Sequence, residues 1–348
     1  MKPENVYLAA IGSWLPPAFP AEAAVAAGLY SPEEYAESGL RSVLVAGTES
    51  PPDMAVHAAR TALSRSSSSA DSVGMLFHSA VFYQGPEMWS VPGYILRELG
   101  IEGASATEIR NGCNGMFTAI ELAAALLPRL PDDRPSILLT TADNFNSPLV
   151  NRWESGPMGV IGADGGSAVV LSRSGGFARL ESIVSRIYPE LEGLSRGDDP
   201  LFPPTGSSGA RIDVAARARQ FTGNQATSAV GRAVGQKIGT AYAKMAHAAL
   251  ADADLEISDV RWVVCGNGDR VMTQRCIIEP LGIDISKSLW DFGCDVGHVA
   301  ASDHIISLDH LIREGRITAG DHILLLGGGP GWSAAAAVLT ITAIPDWI

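Results

Sequence analysis

Hydrophobic and polar positions along the chain alternate between two periods. Short apolar runs that end in polar or glycine-rich turns occur at 72–82 (SVGMLFHSAVF), 136–144 (SILLTTADN), 261–269 (RWVVCGNGD) and 322–331 (HILLLGGGPG). Each reads as a short buried strand. The N-terminal MKPENVYLAAIGSWLPP holds another such run and reads as a first strand. Longer stretches lie between them, at 51–66 (PPDMAVHAARTALSRS) and 234–253 (VGQKIGTAYAKMAHAALADA). The second repeats apolar residues three and four apart, the spacing of one helix face. This alternation predicts an α/β fold with largely parallel sheets. The Ser-rich run at 64–69 predicts a surface loop, and 190–210 (ELEGLSRGDDPLFPPTGSSGA) is the most linker-like segment.

The pattern also repeats. GADGGSAVVLSRS (162–174) is a glycine turn followed by Ser-Ala and a strand, and GGGPGWSAAAAVLTIT (327–342) restates it about 165 residues later. Moving back in each half gives a second matched pair. Cys113, in NGCNG, precedes the apolar helix GMFTAIELAAALL, and His298, in DVGHVAASD, precedes the helix after it. Two similar halves, 1–172 and 173–348, related by a pseudo-twofold axis would bring these helices together and set Cys113 against His298. The mouth of a helix carries free N–H groups and partial positive charge, a setting that favours an anionic sulfur.

Composition narrows the classes. Hydrophobic residues make up 46% and charged ones 18% of 348 residues, so a large core is available and disorder is not expected. No apolar run is long enough to span a membrane, and the start of the chain lacks a signal-peptide pattern. The four cysteines (113, 265, 276, 294) have no zinc-ligand spacing and predict reduced thiols in a cytoplasmic protein without a metal. A net charge of −13 argues against nucleic acid. The segment 210–245 reverses that sign: Arg211, Arg217, Arg219, Arg232, Lys237 and Lys244 face only Asp213 as an acid, which suggests a dock for an acidic partner.

Three stretches carry a family resemblance over nearly the whole chain: NGCNGMFTAIELA, IGADGGSAVVLS and GHVAAS…LDHLIREGRITAGDHILLLGGGPGWSAAAAVL. They resemble the ketosynthase III-like enzymes of the thiolase superfamily. The resemblance implies a duplicated five-layered αβαβα fold, a homodimer, and a buried cysteine that accepts an acyl group from a thioester. Decarboxylating members carry a Cys-His-Asn set. Here the family's His position, in CGNGD, is Gly266, and its Asn position, in GHVAASD, is His298. Both groups that would stabilise an enolate are therefore changed. Asp303 follows His298 by five residues, within reach of its Nδ1 if the histidine lies in the loop and the carboxylate in the first helical turn. A His-x4-Asp arrangement resembles the ketosynthase III-like acyltransferases of polyketide pathways.

The resemblance thus implies an acyltransferase in which Cys113 is the nucleophile, His298 the base and Asp303 its orienting group. The backbone N–H groups of Cys113 and Gly328 would form the oxyanion hole, and Trp89 and Tyr94 would line the acyl tunnel, pack at the dimer interface or belong to the core. No tightly bound cofactor is implied. The substrate would be acyl-phosphopantetheine on a carrier protein, or acyl-CoA, and the acceptor a hydroxyl, an amine or a carrier-protein thiol. The family grips CoA with a Trp and an Arg near the N-terminus. The nearest counterpart of the Trp here is Tyr35, and no Arg precedes Arg41, which favours a carrier protein docked through the basic segment. The alternatives are a condensing or priming enzyme that uses a different base, with His304 the rival imidazole, and a non-catalytic partner subunit.

Overall fold

Side chains along the last strands alternate between two apolar faces. In His322–Gly329, Ile323 and Leu325 enter one core cluster while Leu324 and Leu326 enter another. In Ser333–Ile341, Ala335, Ala337 and Leu339 face the first cluster and Ala334, Ala336 and Val338 the second. Strands apolar on both faces must be covered on both faces, and this sets the layering.

The computed structural model describes residues 1–66, 68–154, 160–204, 209–223 and 229–347. Its strands are β1 (Tyr7–Trp14), β2 (Ala18–Pro20), β3 (Ser42–Leu44), β4 (Val73–Ser79), β5 (Ser105–Ile109), β6 (Ser136–Asp143), β7 (Gly165–Ser172), β8 (Ala178–Ile187), β9 (Val260–Cys265), β10 (His322–Gly329) and β11 (Ser333–Ile341). β2 and β3 form a ribbon, and the other nine form one sheet in the order β5-β4-β6-β7-β1-β8-β11-β10-β9. The sheet narrows at its middle, where β1 meets β8 only through Tyr7–Arg179 and Leu8–Ala178. Outward from that seam both sides follow one plan. β7 is antiparallel to β1 and to β6, and β6 is joined by a parallel β4. On the other side β11 is antiparallel to β8 and to β10, and β10 is joined by a parallel β9. The two repeated glycine-turn motifs lead into β7 and β11, at equivalent places.

Largely parallel pairing is not what forms. Three of the eight junctions are parallel and five antiparallel. The glycine turn after β10 folds directly back into β11, and a tight connection of that kind allows only antiparallel neighbours.

Five layers result, the thiolase fold. Helices Pro51–Arg65 and Val91–Leu99 cover the outer face of the first half. Helix Ala229–Asp252 covers the outer face of the second. Between the half-sheets lie two central helices, Gly115–Leu126 and Asp303–Arg313, whose Met116, Phe117, Ile120, Ile305, Leu308 and Leu311 share one core. The segment 190–210 is not a linker: Leu191 and Leu194 are buried against helix Ala229–Asp252, and 205–208 lie outside the described residues. The Ser-rich loop follows helix Pro51–Arg65, with Ser67 outside the described residues. Among the described residues no helix is long and apolar enough to cross a membrane.

Candidate active site

Both central helices start at the same place, and each delivers one side chain there. Cys113 sits in a short 3-10 turn, Gly112–Asn114, that leads into helix Gly115–Leu126. Gly112 has φ +54°, and a Cβ on it would fall 2.2 Å from Cδ of Pro330 in the C-terminal glycine turn. Asn114, fully buried, donates through Nδ2 to the carbonyl and hydroxyl of Ser333 at 3.1 and 2.8 Å. The two asparagine-glycine pairs around the cysteine therefore lock its turn against the second half of the chain.

His298 is held from the opposite side. Its N–H donates to the Ile161 carbonyl and its carbonyl accepts from Ala163, both at 2.9 Å, so the IGADGG motif of the first half grips the histidine's backbone. The turn that follows is tight, with Gly297 at φ +77° and Ala300 at φ +50°. It brings Asp303, the first residue of the second central helix, back under the ring.

The resulting line is continuous. Cys113 Sγ lies 3.0 Å from His298 Nε2, and His298 Nδ1 lies 2.6 Å from Asp303 Oδ2. Asp303 is fully buried, the His298 side chain is 12% exposed, and Cys113 is half-buried. Asp303 Oδ2 also accepts from the Asn267 N–H at 2.7 Å, and Oδ1 from the Val299 N–H at 2.7 Å. Burial opposes a charge on the imidazole, but the Asp303 carboxylate and the Cys113 sulfur, with their hydrogen bonds, outweigh it and hold His298 well above its ordinary pKa. The site favours a protonated imidazole, with the buried Asp303 carboxylate as its counter-charge.

Gly266 ends the β9 side of this cluster. A Cβ there would point at the line, 3.5 Å from Asp303 Oδ2 and 4.0 Å from His298 Cε1. A side chain at position 266 would therefore start beside the Asp303–His298 pair. His304, the rival imidazole, is turned elsewhere: its Nε2 donates to the Leu326 carbonyl at 3.0 Å, its ring packs on Phe117, and burial lowers its pKa.

The chain matches known proteins along its length. Residues 250–341 match the family described as 3-oxoacyl-[acyl-carrier-protein] synthase III, C-terminal. The solved structure of ChlB3, an acyltransferase, is 35% identical, superposes with a TM-score of 0.90, and covers 99% of each chain. The chain belongs to the ketosynthase III-like family of the thiolase superfamily. The β-ketoacyl-[acyl-carrier-protein] synthase III of Rhizorhabdus wittichii is 25% identical over 302 residues, 86% of this chain and 88% of the relative. The 3-oxoacyl-[acyl-carrier-protein] synthase III of Aquifex aeolicus shares the fold, with a TM-score of 0.78 at 20% identity over 96% of this chain and 99% of the other. The protein is thus a ketosynthase III-like enzyme of the acyl-transferring or condensing kind.

Other expected site residues are dispersed. Trp89 and Tyr94 form an outer aromatic pair, 5.4 Å between centroids, with the Tyr94 hydroxyl donating to Asp53 at 2.5 Å. Tyr94 packs against the core under helix Pro51–Arg65, and Trp89 is 38% exposed and lies against Gly85. Four of the six cations of the basic segment are paired with acids, three from other parts of the chain and one, Asp213, from the segment itself. Arg211 pairs with Glu154, Arg217 with Asp199, Arg219 with Asp213 at 3.9 Å, and Lys237 with Glu190 at 2.5 Å. Arg232 is engaged as well. Lys244 instead borders a surface cleft of about 350 Å³ with His247 and Arg275.

Two neighbours of the site were not anticipated. Asn267 holds Asp303 through its backbone and bonds the Gly297 carbonyl through its side chain at 2.9 Å. It stands in the CGNGD motif, one residue after Gly266. Tyr242, on helix Ala229–Asp252, places its hydroxyl 2.1 Å from where a Cβ of Gly328 would lie. That close approach explains why residue 328 has no side chain, and nothing in the helical periodicity around Tyr242 marks it.

Proposed function

We propose that the protein is an acyltransferase of secondary metabolism that passes an acyl group through Cys113 to a hydroxyl, amine or thiol acceptor without decarboxylative condensation. The observation that carries this reading is the unbroken Cys113–His298–Asp303 line beside a glycine at position 266. A condensing enzyme of this family needs two groups to stabilise an enolate, whereas this constellation holds one imidazole with a carboxylate behind it, the arrangement of a general base.

In the first half-reaction the Cys113 thiolate attacks the thioester carbonyl, and the backbone N–H groups of Cys113 and Gly328 accept the developing negative charge. Donors of this kind are worth about two to three powers of ten in rate. The donor thiolate leaves and takes a proton from the His298 imidazolium. In the second half-reaction neutral His298 takes the acceptor's proton as the acceptor attacks acyl-Cys113. The new acyl bond forms, the acyl–sulfur bond breaks to release the Cys113 thiolate, and the proton stays on His298, which restores the starting thiolate–imidazolium pair. Asp303 holds the ring and stabilises its cation. The acyl donor is read as a carrier-protein thioester. Arg41, the first arginine, is committed to Asp295 and to the Asp291 carbonyl, and Tyr35 packs against Tyr30. Neither is disposed to grip a nucleotide.

The test is intact-protein mass spectrometry after incubation with a panel of acyl thioesters, together with malonyl-carrier protein. The expected outcome is an acyl adduct on Cys113 and no release of carbon dioxide. In His298→Ala, residual self-acylation should persist while transfer to an acceptor fails. Carbon dioxide together with a β-ketoacyl product would replace this reading by the condensing one, and a Cys113→Ala protein that turns over normally would end every covalent version.

A further inference from the structure

We infer that the unfilled space in front of Gly266 is the acceptor subsite: it seats the O–H or N–H nucleophile of a molecule larger than water against the edge of His298. This rests on the acyltransferase reading above and adds where the second substrate enters.

Of the non-neighbouring heavy atoms, only Asp303 Oδ2 and His298 Cε1 come within 4 Å of the point where a side chain at 266 would begin. Apart from those two atoms and the flanking residues 265 and 267, nothing among the described residues lies within 4 Å of that point. The base itself requires an opening there. His298 Nε2 already faces Cys113 Sγ at 3.0 Å and Nδ1 is committed to Asp303. A nucleophile that attacks a carbonyl on Sγ while giving its proton to Nε2 must approach along an edge of the ring. The Cε1 edge is the one that Gly266 leaves uncovered.

The walls of the space are fixed. Asn267, next in sequence, is buried and bonded to both Asp303 and the Gly297 carbonyl, so the loop cannot swing in to fill it. β9 pairs with β10 as far as Cys265–Leu326, so Gly266 is the first residue beyond the paired strand and lies beside the glycine turn that carries Gly328. Acyl-sulfur, imidazole edge and open space are thereby contiguous. Gly266 adopts an ordinary negative-φ conformation, and its nearest contact at 3.5 Å is an ordinary van der Waals distance, so backbone geometry alone does not demand glycine here. We read the missing side chain as leaving that place to the acceptor.

In the transfer step the acceptor's O–H or N–H bond breaks, its proton goes to His298 Nε2, its lone pair forms the new acyl bond, and the acyl–Cys113 bond breaks to leave the thiolate. No further reactant is needed.

The experiment compares two nucleophiles that need no recognition: hydroxylamine and O-benzylhydroxylamine. Acyl-Cys113 is formed with the S-acetyl and S-benzoyl thioesters of N-acetylcysteamine, and the rates at which each nucleophile removes the adduct are measured by mass spectrometry. The readout is the ratio of bulky to small rates within one protein, so a general loss of activity divides out. In the wild type the ratio should be no lower than for the free thioester in solution. In Gly266→Ala and, more strongly, Gly266→Val it should fall by on the order of tenfold to a hundredfold, the scale on which a misplaced reactant slows a reaction. A wild-type ratio about tenfold below that of the free thioester, or ratios unmoved in both variants, overturns the subsite. Absence of any adduct on wild-type Cys113 defeats the acyltransferase reading itself, a different result from an adduct whose ratio does not move.

Discussion

Asp303 receives four hydrogen bonds: from His298 Nδ1, from the Asn267 and Val299 backbones, and from Asn267 Nδ2 at 3.3 Å. A buried carboxylate satisfied this fully is fixed in place, and it fixes the ring that it holds. Its charge is also the largest influence raising the pKa of His298. The imidazole is cationic below that raised value and becomes a base only above it, so transfer to the acceptor should rise with pH through a single limb. An acylated sulfur carries no titratable proton, so on acyl-Cys113 the limb reports chiefly the Asp303–His298 couple. Asp303→Asn removes the negative charge, lowers the imidazole pKa, and should move the limb toward lower pH. The plateau should fall by about two to four powers of ten, the range that general-base help spans. The pH profile of deacylation, measured on preformed acyl-enzyme, checks both. A lower plateau with an unmoved limb would leave Asp303 a purely structural part.

The turns before the central helices are where the halves of the molecule interlock, and Gly112 shows how little slack they have. A methyl group at 112 would need an alanine at φ +54° and would strike the Pro330 ring. Backbone strain at such a site is worth about 1–3 kcal/mol before the clash is counted. Gly112→Ala should therefore lower the melting temperature by several degrees and slow acylation of Cys113. Pro330→Gly added to it should recover part of the stability, because the clash disappears while the strain remains. Additive losses in that double-mutant cycle would mean that the two turns do not press on each other. This contact also marks the limit of what the chain discloses unaided. Strands β4, β6, β9 and β10, helix Pro51–Arg65, and the pairing of Cys113 with His298 are legible because apolar period, repeat and motif speak to them directly. The Gly112–Pro330 contact, the grip of Ile161 and Ala163 on the His298 backbone, and the antiparallel majority in the sheet are not, because each depends on which residues distant in sequence become neighbours.

Charge is legible in composition but not in arrangement, and this bears on how the whole molecule would meet a carrier protein. The cations of 210–245, Lys244 among them, read as an acidic partner's dock, and onto four of them Glu154, Asp199, Asp213 and Glu190 fold from outside and within the segment. Exposed pairs of this kind contribute at most about 1 kcal/mol each to stability, but they spend the cations' attraction internally. On a molecule of net charge −13, an acidic carrier needs a place where positive charge is still available. Lys244 and Arg275 are exposed, border one cleft with His247, and take no part in the ion pairs of the described residues. The cleft lies on helix Ala229–Asp252, which also carries Tyr242 inward to Gly328, so the same helix joins this surface to the glycine turn. If the donor docks here, Lys244→Glu combined with Arg275→Glu should raise the KM for an acyl-carrier protein by on the order of tenfold while leaving kcat and the reaction with small acyl thioesters in place. The wild-type advantage should shrink as ionic strength rises past physiological values, where screening reaches only about 8 Å. Charge reversal at Arg217 should instead lower stability through its lost Asp199 partner. Equal KM values for wild type and the Lys244–Arg275 variant at low salt would place the docking face elsewhere on the molecule.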